Sequence, residues 1–432
     1  MAGLKQTLRE YGITAGTLGS TAGQTIMVAL LPVLLATYTD SALWIGFAIG
    51  GEGIFALLVP YWAGTLSDLL PERLARRFGR RTLFLILTAP LMAGVLVAAP
   101  FFRGYWPLAG IAFAFFCLFH AYLTPLWALM VDTVPDERWG RVHGVRGALH
   151  AGGLAYGLVV AGLLYAVWAP LPFIVAAVLI LITTGITIWA VPPQGAVVRA
   201  GRPGERGARA SDREGGAAGV SSRTVWRELK DRPEIRWLLL ANALWTGAVD
   251  GIRPYIFLFA QEVVGLNTAQ TSVILVLLVG GIGIGSVVLG RVGDRYGRGR
   301  PLAFGALLTT IAMFFGVAIR GVGGALALLL VSGIGAAALI ALPYPLFAEM
   351  VGGRAIGRYT GLYILSLGAG RILAPVAMGA AIDLAKPLFP GGDGYPIMWP
   401  VAGAMSALGL LALRVSLRAA SSDCASGDGK VS

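Results

Sequence analysis

Apolar residues run along this chain in continuous stretches of about twenty, broken by short clusters of charge and glycine. A run of that length crosses a hydrocarbon core about 30 Å thick when it is helical. In lipid, only helices and closed barrels satisfy every backbone group, and these runs lack the two-residue alternation of barrel strands. The pattern therefore predicts twelve membrane helices, at 12–38, 43–67, 82–102, 107–134, 143–168, 170–191, 235–260, 268–292, 301–319, 323–350, 357–384 and 399–415. The first is too long and too rich in glycine to be a cleaved signal peptide, and reads as the first membrane helix.

Two breaks in the apolar rhythm stand out. Residues 192–234 are rich in Gly, Ala, Arg and Ser and cannot bury enough apolar surface to fold alone. The expected organisation is an N-terminal six-helix half at 1–191, a cytoplasmic linker at 192–234, a C-terminal six-helix half at 235–415 and a disordered cytoplasmic tail at 416–432. The end of the linker, "RTVWRELKDRP", has the pattern of a short amphipathic helix. The second break is "GRVGDRYGRGR" at 290–300, five charges in eleven residues directly after "TSVILVLLVGGIGIGSVVL".

Composition agrees with a chain made for lipid: 56% hydrophobic, 13% charged, mean hydropathy +0.75, against about a quarter charged in a soluble domain. The net charge of +12 reports topology and excludes neither face by itself. Its distribution decides: Arg73, Arg76, Arg77, Arg80, Arg81, Arg138, Arg141, Arg291, Arg295, Arg298, Arg300, Arg354 and Arg358 fall on one side, against Arg103, Arg320 and Lys386 on the other. This is the positive-inside bias. It places both termini and the linker in the cytoplasm of a multi-pass protein of the cell (plasma or inner) membrane, and it argues against nucleic acid as a partner. The two cysteines, Cys117 in a helix and Cys424 in the tail, form no disulfide framework or metal site. No cofactor is expected.

The halves repeat. Gly64 and Asp68 match Gly290 and Asp294 at an offset of 226, and Gly79-Arg80 matches Gly297-Arg298 at 218, the difference being an eight-residue insertion. Asp132 and Glu349, Gly140-Arg141 and Gly357-Arg358, and Gly144 and Gly361 are each offset by 217, and Pro125 and Pro343 by 218. Internal repeats of this kind mark secondary transporters, with a substrate site near the midplane at the repeat interface.

The stretch Gly-x-x-x-Asp-Arg-x-Gly-Arg at 290–298 resembles the signature loop of the major facilitator superfamily, which stands between the second and third helices and again between the eighth and ninth. Both copies sit there in this chain, and the resemblance covers all twelve helices. Within the superfamily, "FGRRTLFL" and "VDTVPDERWGRVHGVRG" are similar to the sucrose/proton and glycoside–cation symporters. Those relatives often continue Gly-Arg-Arg with a third Arg and a Pro, where this chain has Thr82 and Leu83. The Gly-Pro signature of the antiporters is absent from "GVRGALHAGGLAYG". The resemblance implies an all-α fold of two pseudo-symmetric six-helix halves that rock about a central site. It also implies a cytoplasmic gate network of Gly64, Asp68, Gly79, Arg80, Asp132, Arg141, Gly290, Asp294, Arg295, Gly297, Arg298, Glu349 and Arg358. Physics points the same way for the acids: Asp68 and Asp294 close helices at the end where the macrodipole disfavours a carboxylate, so each needs another partner. The competing reading is plain topology with surface ion pairs worth about 0–1 kcal/mol each.

Charges inside the membrane cost roughly 2.5–3.5 kcal/mol each on insertion scales and are functional candidates by default. Here they are few: Glu52, Asp250, Arg253, Arg371 and Arg146, with His120 and His150 beside them. Asp250 lies fourteen residues past Arg236, about 21 Å along the helix. Arg253 follows at i+3, within pairing reach, and Gly247, Gly251 and Pro254 weaken the helix around both. The offset of 226 sets Gln24 of the first helix against Asp250. The two charges read either as a packing pair or as part of a cavity. Glu52 reads as a structural acid, as a proton site, or as a partner of Arg371, since the resemblance implies that helices two and eleven meet. A carboxyl out of water favours its neutral form unless a cation faces it, a competition that proton coupling needs. Trp127, Trp245, Tyr156, Tyr255 and Tyr363 pack the core or stack on a sugar.

The function expected is secondary transport by alternating access, as a proton-coupled symporter for a small sugar or glycoside, by a monomer. A proton-driven exporter of amphipathic drugs or metabolites is the alternative, and a non-transporting membrane sensor the second. No nucleotide loop, metal cluster or nucleophile motif supports an enzyme. The resemblance favours protons over sodium: sodium-coupled relatives cluster carboxylates in helices two and four, and here helix two has only Glu52 inside and helix four none.

Overall fold

Breaks in the helices fall where proline and glycine sit. In the computed structural model, which describes residues 8–68, 79–134, 138–191, 229–230, 232–351, 356–389 and 394–427, membrane helix α1 is Gly16–Ala29 and Leu31–Leu35, interrupted just before Pro32. Then come α2 (Ala42–Asp68), α3 (Arg80–Ala98) and α4 (Tyr105–Thr133). Helix α5 runs Trp139–Ala155, loosens into a π turn at Tyr156–Val160 and resumes as Ala161–Val167. Helix α6 is Leu171–Ala190. Helix α7 is Pro233–Ile252, a 3-10 turn at Arg253–Tyr255 and a short continuation at Ile256–Glu262. The last five are α8 (Thr268–Tyr296), α9 (Gly299–Gly316), α10 (Val322–Ala341 and Pro343–Val351), α11 (Ile356–Ala385) and α12 (Met398–Gly427).

Eleven helices among the described residues are long and apolar enough to cross a membrane. The twelfth span expected, 235–260, is the broken α7. A proline cannot donate to the helix ladder and its ring clashes with the preceding turn, so Pro254 ends the regular helix two residues earlier, at Ile252. The related Pro125 and Pro343 behave differently: α4 runs through Pro125, whereas α10 restarts at Pro343. Helix α12 continues to Gly427, beyond the end at 415 expected for it, and corrects the view of 416–427 as a disordered tail. Leu413 and Ser416 are buried, and the Ser416 hydroxyl donates to the carbonyl of Glu234 at 2.6 Å. Leu417, Arg418, Ala419 and Ala420, which follow, are good helix formers. Most of the linker lies outside the described residues; Leu229, at its end, is buried in the C-terminal core.

By contacts the chain divides into two compact units: Met1–Gly201 with Arg253–Val276, and Arg202–Ile252 with Leu277–Ser432. The division differs from a cut at the linker because the far ends of α7 and α8 pack with the first unit. There the buried Tyr255 hydroxyl donates to the Ala42 carbonyl at 2.9 Å, at the start of α2.

In the first unit α1 packs on α4, α5 and α6, while α2 and α3 flank α4. In the second, α7 packs on α11 and α12, and α9 on α10 and α12. Lipid supplies no hydrophobic drive between helices, so close approach of backbones matters. A Cβ on Gly153 would stand 2.7 Å from the Leu18 carbonyl oxygen. One on Gly370 would stand 2.7 Å from the Ala243 carbonyl oxygen. These two glycines set α5 on α1 and α11 on α7, and they are themselves offset by 217. Gly370→Ala should therefore destabilise the protein by about 1–3 kcal/mol through overpacking, read as a lowered unfolding temperature in detergent. An unchanged temperature would show that α11 can back away freely.

Candidate functional site

The repeated loops have a shared local geometry. Gly79 and Gly297, the paired glycines of the two copies, hold φ at 81° and 83°, a region that costs an L side chain about 1 kcal/mol or more. Each precedes the first turn of the next helix, α3 or α9, so glycine is what lets the chain reverse there. Arg298, next to Gly297, donates to Glu349 at 2.7 Å and to the Pro345 carbonyl at 3.2 Å, joining the start of α9 to the end of α10. Gly290 lies in α8, and Arg141 and Arg295 are exposed. Gly64, Asp68, Arg80, Asp132, Asp294 and Arg358 sit at helix positions, and the side chains of the last five lie outside the described part.

Within the first unit, two polar contacts involve α1 and a third joins α4 and α5. The Gln24 amide Nε2 donates to Glu52 Oε1 of α2, and Glu52 is 6% exposed. One turn nearer the N-terminus, Thr21 Oγ1 is 3.0 Å from His150 Nδ1 of α5. Arg146, a turn before His150, lays its guanidinium over the Trp127 ring of α4, 5.2 Å from the ring centre. The Arg146 Nε–H is buried and has no hydrogen-bond acceptor among the described residues, while the Trp127 ring is 49% exposed. His120, about two turns before Trp127 on α4, is buried edge-on to Phe119.

Within the second unit, Arg371 Nε of α11 donates to Asp250 Oδ2 of α7 at 3.0 Å; the side chains are 36% and 14% exposed. The sequence set Arg253 within reach of Asp250; the structure adds to Asp250 a partner 121 residues away, and Arg253 begins the 3-10 turn. Arg371, considered above for Glu52, contacts Asp250 within the second unit, and Glu52 contacts Gln24 within the first. Below this pair, Asn242 Nδ2 donates to Ser366 Oγ at 2.9 Å, and the Tyr363 hydroxyl lies 3.4 Å from Asn242 Oδ1.

Of the five aromatic candidates, Trp245 is buried with its Nε1–H on the Ser406 carbonyl, Tyr255 is the tie to Ala42, and Tyr156 donates to the Pro172 carbonyl. Trp127 is half exposed, with the Arg146 guanidinium over its ring. Sequence reasoning named Arg146 and Trp127 separately and missed their contact. It also missed Arg232, which donates to Glu234 at 2.8 Å and to the Met350 carbonyl at 2.7 Å, fastening the start of α7 to the end of α10.

The sequence matches the description of the Major Facilitator Superfamily over residues 13–322 and 264–424. The chain belongs to the Major Facilitator Superfamily. Among curated proteins none matches it significantly. Solved structures similar to this superfamily member include a bacterial homolog of the human lysosomal transporter Spinster in an inward-facing, unoccupied conformation (TM-score 0.73, 14% identity, 96% of this chain and 98% of that one). The nucleoside transporter NupG follows at TM-score 0.69, 14% identity and coverage of 95% and 99%. A bacterial homologue of the iron transporter ferroportin, inward-facing, has TM-score 0.65, 15% identity and coverage of 96% and 98%. At such identities the likeness shows the fold. Superfamily membership makes the chain a multi-pass membrane protein and supports secondary transport of a small molecule by alternating access.

Proposed function

We propose that this superfamily member is a proton-coupled symporter for a small sugar or glycoside. The observation that carries the reading is the pair Trp127 and Arg146: a half-exposed indole with a charged, multi-donor group lying over its ring. An apolar ring face with a few convergent polar groups suits a sugar, which presents C–H groups on its flat side and hydroxyls at its rim. Coupling is assigned to Glu52, a carboxyl buried in the membrane span that meets the neutral Gln24 amide.

The test is uptake of radiolabelled sugars into proteoliposomes, with and without an imposed inward proton gradient. Gradient-driven accumulation is expected, and Trp127→Ala should raise KM by about three- to tenfold. A protein that moves none of the sugars, or that is stimulated by sodium at fixed pH with no membrane potential, ends this reading.

A further inference from the structure

Three contacts fix how α9 and α12 lie against each other within the second unit. A Cβ on Gly299 would stand 3.1 Å from Leu417, Thr310 Oγ1 lies 2.9 Å from Ser406 Oγ, and a Cβ on Gly403 would stand 3.1 Å from the Phe314 ring. Numbers rise along one helix as they fall along the other, so the two are antiparallel. Each residue turns a helix by about 100°. One step forward from Gly299 and one from Leu417 therefore bring Arg300 and Arg418 to the same side of the pair, because the helices run in opposite directions. Arg414, three residues before Leu417, comes round to that side too, as do Phe304 and Ile311 of α9 and Leu411 of α12.

That side faces away from the bundle. On the other side, Gly305 packs on Ala338 of α10, and the buried Ser416 donates to the Glu234 carbonyl of α7. Arg300, Arg414 and Arg418 are exposed, and Phe304, Ile311 and Leu411 are 57%, 45% and 54% exposed. Apolar side chains left open on membrane-crossing helices face acyl chains. Ile311 stands eleven residues beyond Arg300, about 16 Å along the axis, which is close to the hydrocarbon depth of one leaflet. The described acids at this end are engaged by other arginines, Glu234 by Arg232 and Glu349 by Arg298. The last helix of the first unit's bundle, α6, holds no charged residue, so the arginines are particular to α12 and are not a product of the repeat.

We infer that the groove between α9 and α12 binds an anionic phospholipid of the leaflet at that end. Its phosphate lies among Arg300, Arg414 and Arg418, and its chains run along Phe304, Ile311 and Leu411. Guanidinium forks meet phosphate oxygens with paired N–H donors, and a net negative headgroup keeps that attraction where a zwitterion's ammonium offsets it. Each basic residue near anionic lipid contributes about fivefold in affinity.

The purified full chain in neutral detergent would be titrated with dioleoyl phosphatidylglycerol or dioleoyl phosphatidylcholine, and binding read from the rise in unfolding temperature. Phosphatidylglycerol should bind more tightly by on the order of a hundredfold. Arg414→Gln/Arg418→Gln should weaken it about twenty-fivefold and Arg300→Gln about fivefold. Lys230→Gln/Arg236→Gln removes the same charge from exposed positions at the start of α7 and should leave the affinity unchanged. Equal affinity for the two lipids, or equal losses in the two double variants, overturns the site. Glycerol 1-phosphate, which has the charge without the chains, should not displace the lipid at equal concentration; if it does, the lipid assignment falls. Arg300→Gln keeps the test valid if the Arg414→Gln/Arg418→Gln protein does not fold, since wild-type affinity in that variant also overturns the groove.

Discussion

A Glu52→Gln protein should fold, keep counterflow exchange of its solute and lose uphill accumulation. The substitution is nearly isosteric, and the Gln24 amide that now meets Glu52 Oε1 can still donate to an amide oxygen. What disappears is the proton. A gradient of about one pH unit carries 1.36 kcal/mol per proton and supports at most about tenfold accumulation with one proton per solute. In the variant that ratio should fall to one, while exchange of labelled for unlabelled solute, which needs no net proton movement, continues. A Glu52→Gln protein that still accumulates solute against its gradient would remove Glu52 from the coupling mechanism.

The pair Asp250–Arg371 should show the next largest effect, and the result should depend on how many charges are removed. Deleting one partner of a buried pair strands the other and costs about 3–5 kcal/mol, whereas removing both is often close to neutral. Arg371 is 36% exposed, so Asp250→Asn alone should fall at or below the lower end of that range. The double variant Asp250→Asn/Arg371→Gln should regain most of the lost thermal stability. If the pair lines the path of the solute, this refolded double variant should still fail to transport. A double variant with wild-type uptake would reduce the pair to a packing device between α7 and α11.

Much of this architecture was legible in the chain. Twelve apolar runs, the insertion-corrected repeat and the one-sided arginines all follow from local rules. The matched glycines 79 and 297 proved to be matched in backbone conformation, both with positive φ. The weakness expected around Gly247, Gly251 and Pro254 became the end of regular helix at Ile252. The repeat even flagged Gln24 as the counterpart of Asp250, and each is engaged by a charged residue of another helix. The length of α12 was misjudged, since a polar sequence that reads as a tail can remain helical when its first turns, at Leu413 and Ser416, are anchored in the core.

What the sequence determined by itself is set by the solvent. Lipid demands a continuous helical ladder and an apolar surface from every crossing segment, and that demand acts residue by residue along the chain. Which side chains meet is decided by how each helix is rotated and how closely it approaches its neighbours. Asp250 meets Arg371 where Gly370 lets α11 close on α7, while the helix gives way to a 3-10 turn at Arg253. Arg146 found Trp127, and Tyr344 found Tyr363, across loops that carry no trace of either contact. Those pairings are long-range and depend on packing at the scale of single methyl groups, so only the tertiary structure decides them.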